Sequence, residues 1–154
     1  MTKHIQLIAR QLMYLQRMRE YLSYSSERIQ NIVPIANWQS LGLQQHEILA
    51  AFRIRFSEFQ EHLGKIMRAI AIEENIDVER FGSVLAFMEK LNIIESSDRW
   101  KLIRELRNDI NHEYEEDSSR LTEFFAEIVK ATPELFDIHN RLLTFCIDAY
   151  GITI

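Results

Sequence analysis

Turn-forming residues are scarce in this chain. Four glycines and two prolines are spread over 154 residues. Many short strands would need a turn at each reversal, so the scarcity favours a few long helices. The apolar residues keep the matching rhythm. Ile5, Ile8, Leu12, Leu15 and Leu22 recur near three- and four-residue intervals, the spacing of one helical face. Ile48, Leu49, Phe52, Phe56, Phe59, Leu63, Ile66 and Ile70 do the same further on, and Phe81, Leu85, Met88 and Leu91 again.

The pattern places a first helix at 3–32, an irregular link at 33–42 ("VPIANWQSLG"), a second helix at about 44–73 and a third at about 78–91. Ser96-Ser97-Asp98 supplies an N-cap for a fourth helix starting near Arg99, so that the helix carrying the polar motif covers about 97–114. A fifth begins near Ser118–Ser119 and ends before Pro133, which suits the first turn of a last helix at about 133–149, closed by Gly151. No repeat or low-complexity tract interrupts the series. The expected fold class is all-α, an antiparallel up-and-down helical bundle in one domain over 1–154, with residues 1–42 as its first helix and linker. Phe and Met stripes are core in such a fold, and Trp38 is expected to cover the core.

Composition bounds the function. A net charge of −5 argues against non-specific coating of nucleic acid, though not against a local basic patch. The single cysteine, Cys146, lies in the apolar run "RLLTFCIDAY" and cannot form an internal disulfide, so a reducing, cytoplasmic setting and a core position are expected. No stretch approaches the roughly 20 apolar residues that cross a bilayer. Lys3, Arg10, Arg17 and Arg19 break any signal-peptide core, and the absence of an acid before Glu20 is better read as part of a first bundle helix than as a transit peptide.

Chemistry concentrates in "RNDINHEYEED", residues 107–117. At about 100° per residue, Ile103, Leu106 and Ile110 form an apolar stripe with Trp100 at its edge. Lys101, Arg104, Asn108 and His112 form a polar stripe, while Arg107 and Tyr114 lie on the border of the apolar one. A polar stripe is usually a solvated face, and a border aromatic is usually packing. Arg107 and His112 are five residues apart and diverge by roughly 140° on a continuous helix. Either the helix breaks there or a second protomer completes a site. His112 and Glu116 have the i,i+4 spacing of two metal ligands, but His4, His46, His62 and His139 are scattered, so no metal site and no cofactor are expected. Phosphate loops, nucleophile elbows and cysteine pairs are missing.

Arg107-Asn108-x-x-x-His112-x-Tyr114 resembles the signature of the HEPN family, in the R-x4-H-x-Y form of HepT-type toxins. The preceding S-x-x-W-x-x-x-R-x-L, from Ser97 to Leu106, and "RFSEFQEHLGKIMRAI" are similar to small HEPN proteins encoded beside minimal nucleotidyltransferases; the likeness spans about 45–148. It implies a HEPN-like bundle, a homodimer, and a metal-independent endoribonuclease toxin whose antitoxin is the cognate nucleotidyltransferase. Under it, Arg107, His112 and Asn108 are catalytic, Lys101 and Arg104 hold RNA phosphates, and Tyr114 accepts AMP from the antitoxin. Some relatives are regarded only as partner or substrate-binding subunits of nucleotidyltransferases, so a non-catalytic subunit or a purely structural helical dimer stands as the alternative.

Overall fold

The structure, a computed structural model, describes residues 2–108 and 117–154. Every long regular element among them is an α-helix: α1 (Lys3–Ile29), α2 (Leu43–Glu73), α3 (Phe81–Lys90), α4 (Ser97–Asn108) and α5 (Ser118–Tyr150), with one short 3-10 turn at Trp38–Ser40. The fold is all-α, and no described helix is long and apolar enough to cross a membrane.

Local chemistry sets the helix ends. Thr2 opens α1 by accepting the Ile5 N–H at 3.1 Å. At α2 the Gln45 side chain reaches back to the Gly42 N–H at 2.9 Å. That helix stops where Asn75 turns left-handed at φ 59° and the Ile76 N–H returns to the Ala71 carbonyl at 2.8 Å. Asn92, at φ 64°, ends α3 in the same way, with Ile93 donating to Met88 at 2.9 Å. Both ends have the six-to-one hydrogen bond of a Schellman cap, with Asn as the left-handed residue. Ser96 caps α4 through the Arg99 N–H at 3.0 Å, as its sequence suggests. Gly151 closes α5 at φ 66°.

α1 lies mainly along α2, while α5 packs on α1, α2 and α4, and α3 bridges α2 and α4. One apolar core runs through all five. It contains the anticipated stripes, Ile8, Leu12, Leu15 and Leu22 from α1 and Phe52, Phe56, Phe59 and Leu63 from α2, each at most 1 % exposed. Burial of a side chain of this size contributes roughly 1.5–3 kcal/mol. The link between α1 and α2 is pinned to the start of α5. Trp38 stacks on Phe125 at 5.7 Å, and Thr122 donates to the Ile35 carbonyl at 3.0 Å.

Two expectations change. The chain does not break before Pro133: α5 runs through it as one helix of 33 residues. Pro133 has no N–H for the Val129 carbonyl, a defect of about 3 kcal/mol in a helix interior. On either side of it, however, Ile128, Ala131, Leu135 and Leu142 share one buried face, and breaking the helix would forfeit that burial. The second change is Trp100, which does not sit at an edge. It is 2 % exposed and is among the largest side chains of the core.

Candidate functional site

Beyond its first turn, α4 turns one side toward α2. Arg104 and Arg107, three residues apart and half-buried, line a groove there with Lys65 and Arg68 of α2. The groove has a volume of about 260 Å³. Gly64, Phe81 and Trp100 make its apolar part, and the Gln60 amide and the Glu61 carboxylate line it as well. Gly64 lets these rings close on the helix backbone: a Cβ there would stand 3.6 Å from Trp100 Cζ2 and 3.7 Å from Phe81 Cζ. A methyl would fit at ordinary contact distance, whereas a longer side chain would fill the floor.

The charges in the groove are poorly compensated. Lys65 reaches Glu61 at 3.8 Å, with both side chains over half exposed, a pair worth little in water. Arg68, Arg104 and Arg107 make no hydrogen bond or ion pair among the described residues. Gln60 Oε1 and Trp100 Nε1 have no hydrogen-bond partner among the described residues, although Gln60 is 1 % exposed and Trp100 is 2 % exposed.

Of the site residues expected from sequence, the structure therefore brings Arg104 and Arg107 together. Lys101 is exposed and lies outside the groove lining. His112, Tyr114 and the Asn108 side chain lie outside the described residues, as does the His112–Glu116 pair considered for metal binding. Lys65 and Arg68 were not foreseen. Their three-residue spacing puts them on one side of α2, but only tertiary packing sets that side against α4.

The other polar clusters are internally satisfied. Arg99 binds Glu134 through Nε at 3.2 Å and Nη2 at 2.5 Å, which ties α4 to α5 and raises the arginine pKa. The exposed Glu89 carboxylate accepts the Ser97 N–H, and that bond holds its pKa below the usual carboxylate range. His139 is buried, with Nδ1 3.0 Å from Arg19 Nη1. A guanidinium only donates, so Nδ1 is the acceptor and the proton sits on Nε2. Burial, and then the Arg19 charge, push this imidazole down to about 4. Cys146 is a core residue, as expected; burial pushes its thiol up to about 12. Among the described residues, no three His, Cys, Asp or Glu side chains are placed to hold a metal ion.

Comparisons of the chain with family models, with curated proteins and with solved structures found no significant match.

Proposed function

We propose that the chain is a metal-independent endoribonuclease, the toxin of a cytoplasmic toxin–antitoxin pair, with the α2–α4 groove receiving RNA phosphates. The observation that carries this reading is the gathering of Arg68, Arg104 and Arg107 without carboxylate partners among the described residues. Several other arginines are paired, Arg99 with Glu134, Arg141 with Asp137, Arg55 with Glu58 and Arg28 with Tyr24, while Arg10, Arg17 and Arg80 stand apart from one another along the chain and have no side-chain partner among the described residues. Like charges held together repel, and an anionic ligand offsets that repulsion. A phosphodiester backbone is such a ligand. Arg107, where R-x4-H-x-Y begins, lines the groove as well.

In this reading, one His112 takes the proton from a ribose 2′-OH as that oxygen attacks the adjacent phosphorus. The bond from phosphorus to the 5′-oxygen then breaks, and the His112 of a second protomer protonates the leaving oxygen. Arg107 makes bidentate contacts to the phosphoryl oxygens as charge builds on them, and Asn108 orients the phosphate or the imidazole. Arg104, with Lys101 further out, holds flanking phosphates without reading sequence. A homodimer resolves the divergence of Arg107 from His112 on one helix. A nucleotidyltransferase antitoxin silences the site by placing AMP on Tyr114, which adds bulk and negative charge beside Arg107.

Purified chain incubated with RNA in EDTA tests the reading. Cleavage leaving 2′,3′-cyclic phosphate ends is expected, and Arg107→Ala and His112→Ala should each abolish it while the protein stays folded. Activity lost on chelation and regained with Mg²⁺, or variants that cut as well as wild type, would overturn it.

A further inference from the structure

The outer face of α1 carries cations that the groove does not use. Lys3, Leu7, Arg10, Tyr14, Arg17 and Tyr21 follow at alternating intervals of four and three residues, which makes them one stripe along the helix. All six are exposed, the Tyr14 ring by 51 % and the Tyr21 ring by 46 %. The stripe holds no carboxylate, and none precedes Glu20 in the chain. Glu20 lies about 60° round the helix from Arg17 and makes no ion pair with it. Arg10 and Arg17 have no hydrogen bond or ion pair among the described residues. Of the α2 acids on this side, Glu58 pairs with Arg55 and Glu73 with His4, while Glu61 stands beside Lys65.

Two contacts fix how the stripe sits beside the groove. His4 meets Glu73 at 2.8 Å, and Arg55 lies over one face of Tyr21 at 4.8 Å. α1 and α2 are therefore antiparallel, and Arg10 stands level with the turn of α2 that carries Lys65 and Arg68. Lys65 is about 80° round α2 from Arg55: one reaches the α4 groove, the other α1. The cations thus continue from α1 over the exposed ridge of α2 into the groove. An occupant of this face has to be anionic. A second copy of the stripe is not, since a two-fold pairing would set Arg10 and Arg17 against cations alone. A bilayer surface would need an apolar face to insert, and that face of α1, with Ile8, Leu12 and Leu15, is buried in the core. Single-stranded RNA offers phosphates to the guanidinium groups and flat bases to the tyrosine rings. From Arg10 to Tyr21 the stripe is about 16 Å long, room for about three to five nucleotides.

We propose that the outer face of α1 from Arg10 to Tyr21 is an exosite for single-stranded RNA. Tyr14 and the open face of Tyr21 stack on bases, Arg10 and Arg17 meet phosphates, and the strand crosses α2 at Lys65 and Arg68 to enter the groove. The exosite rests on the ribonuclease reading for its biological meaning, though not for its test. It favours long RNA over short without reading sequence, because every base has a face to stack.

The test is binding of a fluorescent 2′-O-methyl RNA of about 12 nucleotides to the intact chain, read by anisotropy over a range of salt; the methyl groups prevent attack by the 2′-oxygens. Tyr14→Ala with Tyr21→Ala should weaken binding about tenfold or more, whereas Tyr14→Phe with Tyr21→Phe, which keeps both rings, should hold it within about twofold. Arg10→Gln with Arg17→Gln should flatten the slope of log affinity against log salt by about 1.4, two phosphates at about 0.7 each. Should the alanine pair fail to fold, the arginine pair decides. Unchanged affinity in the folded alanine pair, or an unchanged salt slope in the arginine pair, would overturn the exosite. Competition by polyglutamate or by phosphatidylserine vesicles as strong as by unlabelled RNA would also overturn it, and would assign the face to an acidic protein or a membrane. Ordinary RNA that is cut while the α1 variants bind as wild type does would remove the exosite and leave the ribonuclease reading standing. RNA that binds through α1 and is never cut would do the reverse.

Discussion

His139 makes stability depend on pH in a calculable way. In the folded chain it is neutral, 1 % exposed, and faced by the Arg19 guanidinium and the Phe59 ring, while Arg19 itself also donates to Asn140 and lies over the Phe136 ring. Protonating Nδ1 would break the bond from Arg19 and set two cations 3.0 Å apart. The unfolded histidine takes its proton near 6.5, the folded one only at about 4. Between those values the unfolded state binds more protons, so the contribution is fully present above about pH 6.5 and is lost as pH falls toward 4. The whole gap corresponds to about 3 kcal/mol, of which about 2 kcal/mol is gone by about pH 5. His139→Asn keeps an acceptor for Arg19 and does not titrate. Urea unfolding of both proteins from about pH 7.5 to about pH 5 should show the wild-type advantage shrinking by about 2 kcal/mol. Carboxylates and the other histidines cancel in that difference. An advantage that stays constant across the range would refute the placement of His139 as a neutral core group.

Other outcomes follow from the same structure. Cys146 should resist alkylation in the native protein, reacting slower by at least about a hundredfold than in urea; rapid native labelling would contradict its burial. Pro133→Ala restores a donor to α5 and should raise stability by about 1–3 kcal/mol, read as a higher urea midpoint at unchanged m-value; a lower midpoint would mean that the packing around residue 133 needs the ring. If the proposed function holds, Tyr114→Phe should remain toxic yet gain no AMP mass when mixed with the proposed nucleotidyltransferase partner and ATP. Wild-type protein that is silenced without an adduct would show that inhibition is by binding alone.

Sequence spacing was enough to locate most of the fold. The stripes of α1 and α2 and the Ser96 cap come from local rules of periodicity and capping, and the core position of Cys146 from its apolar run and the usual burial of a free thiol. Pro133 misled because local rules price the missing hydrogen bond but not the shared buried face on both sides of it. Trp100 was placed at an edge because a helical wheel shows angle and not depth; α2 and α3 close over it from residues far away in sequence. His139 shares the stripe of Leu135, Leu142 and Cys146, so its burial was legible, although its bond to Arg19, 120 residues away, was not. The groove stands half in each category. Arg104 and Arg107 could be picked out along α4, whereas Lys65 and Arg68 join them only through packing.

α4 is clamped at one end. Ser96, the Glu89 carboxylate, the Arg99–Glu134 pair and buried Trp100 all fix its first turn. Arg107 lies seven residues beyond Trp100, about 10 Å along the axis at 1.5 Å per residue. α4 thus carries any movement from its root at the α4–α5 joint to a tip at its last described turn, beside the groove, with Ile103, 1 % exposed, packed in the core between them. A tilt of about 5° at the root moves the tip by about 1 Å, a displacement that can cost a positioned catalytic group about a hundredfold in rate. For the proposed ribonuclease, Glu134, on another helix, therefore takes part in aligning Arg107, and loosening that joint is expected to slow cleavage without altering a groove residue.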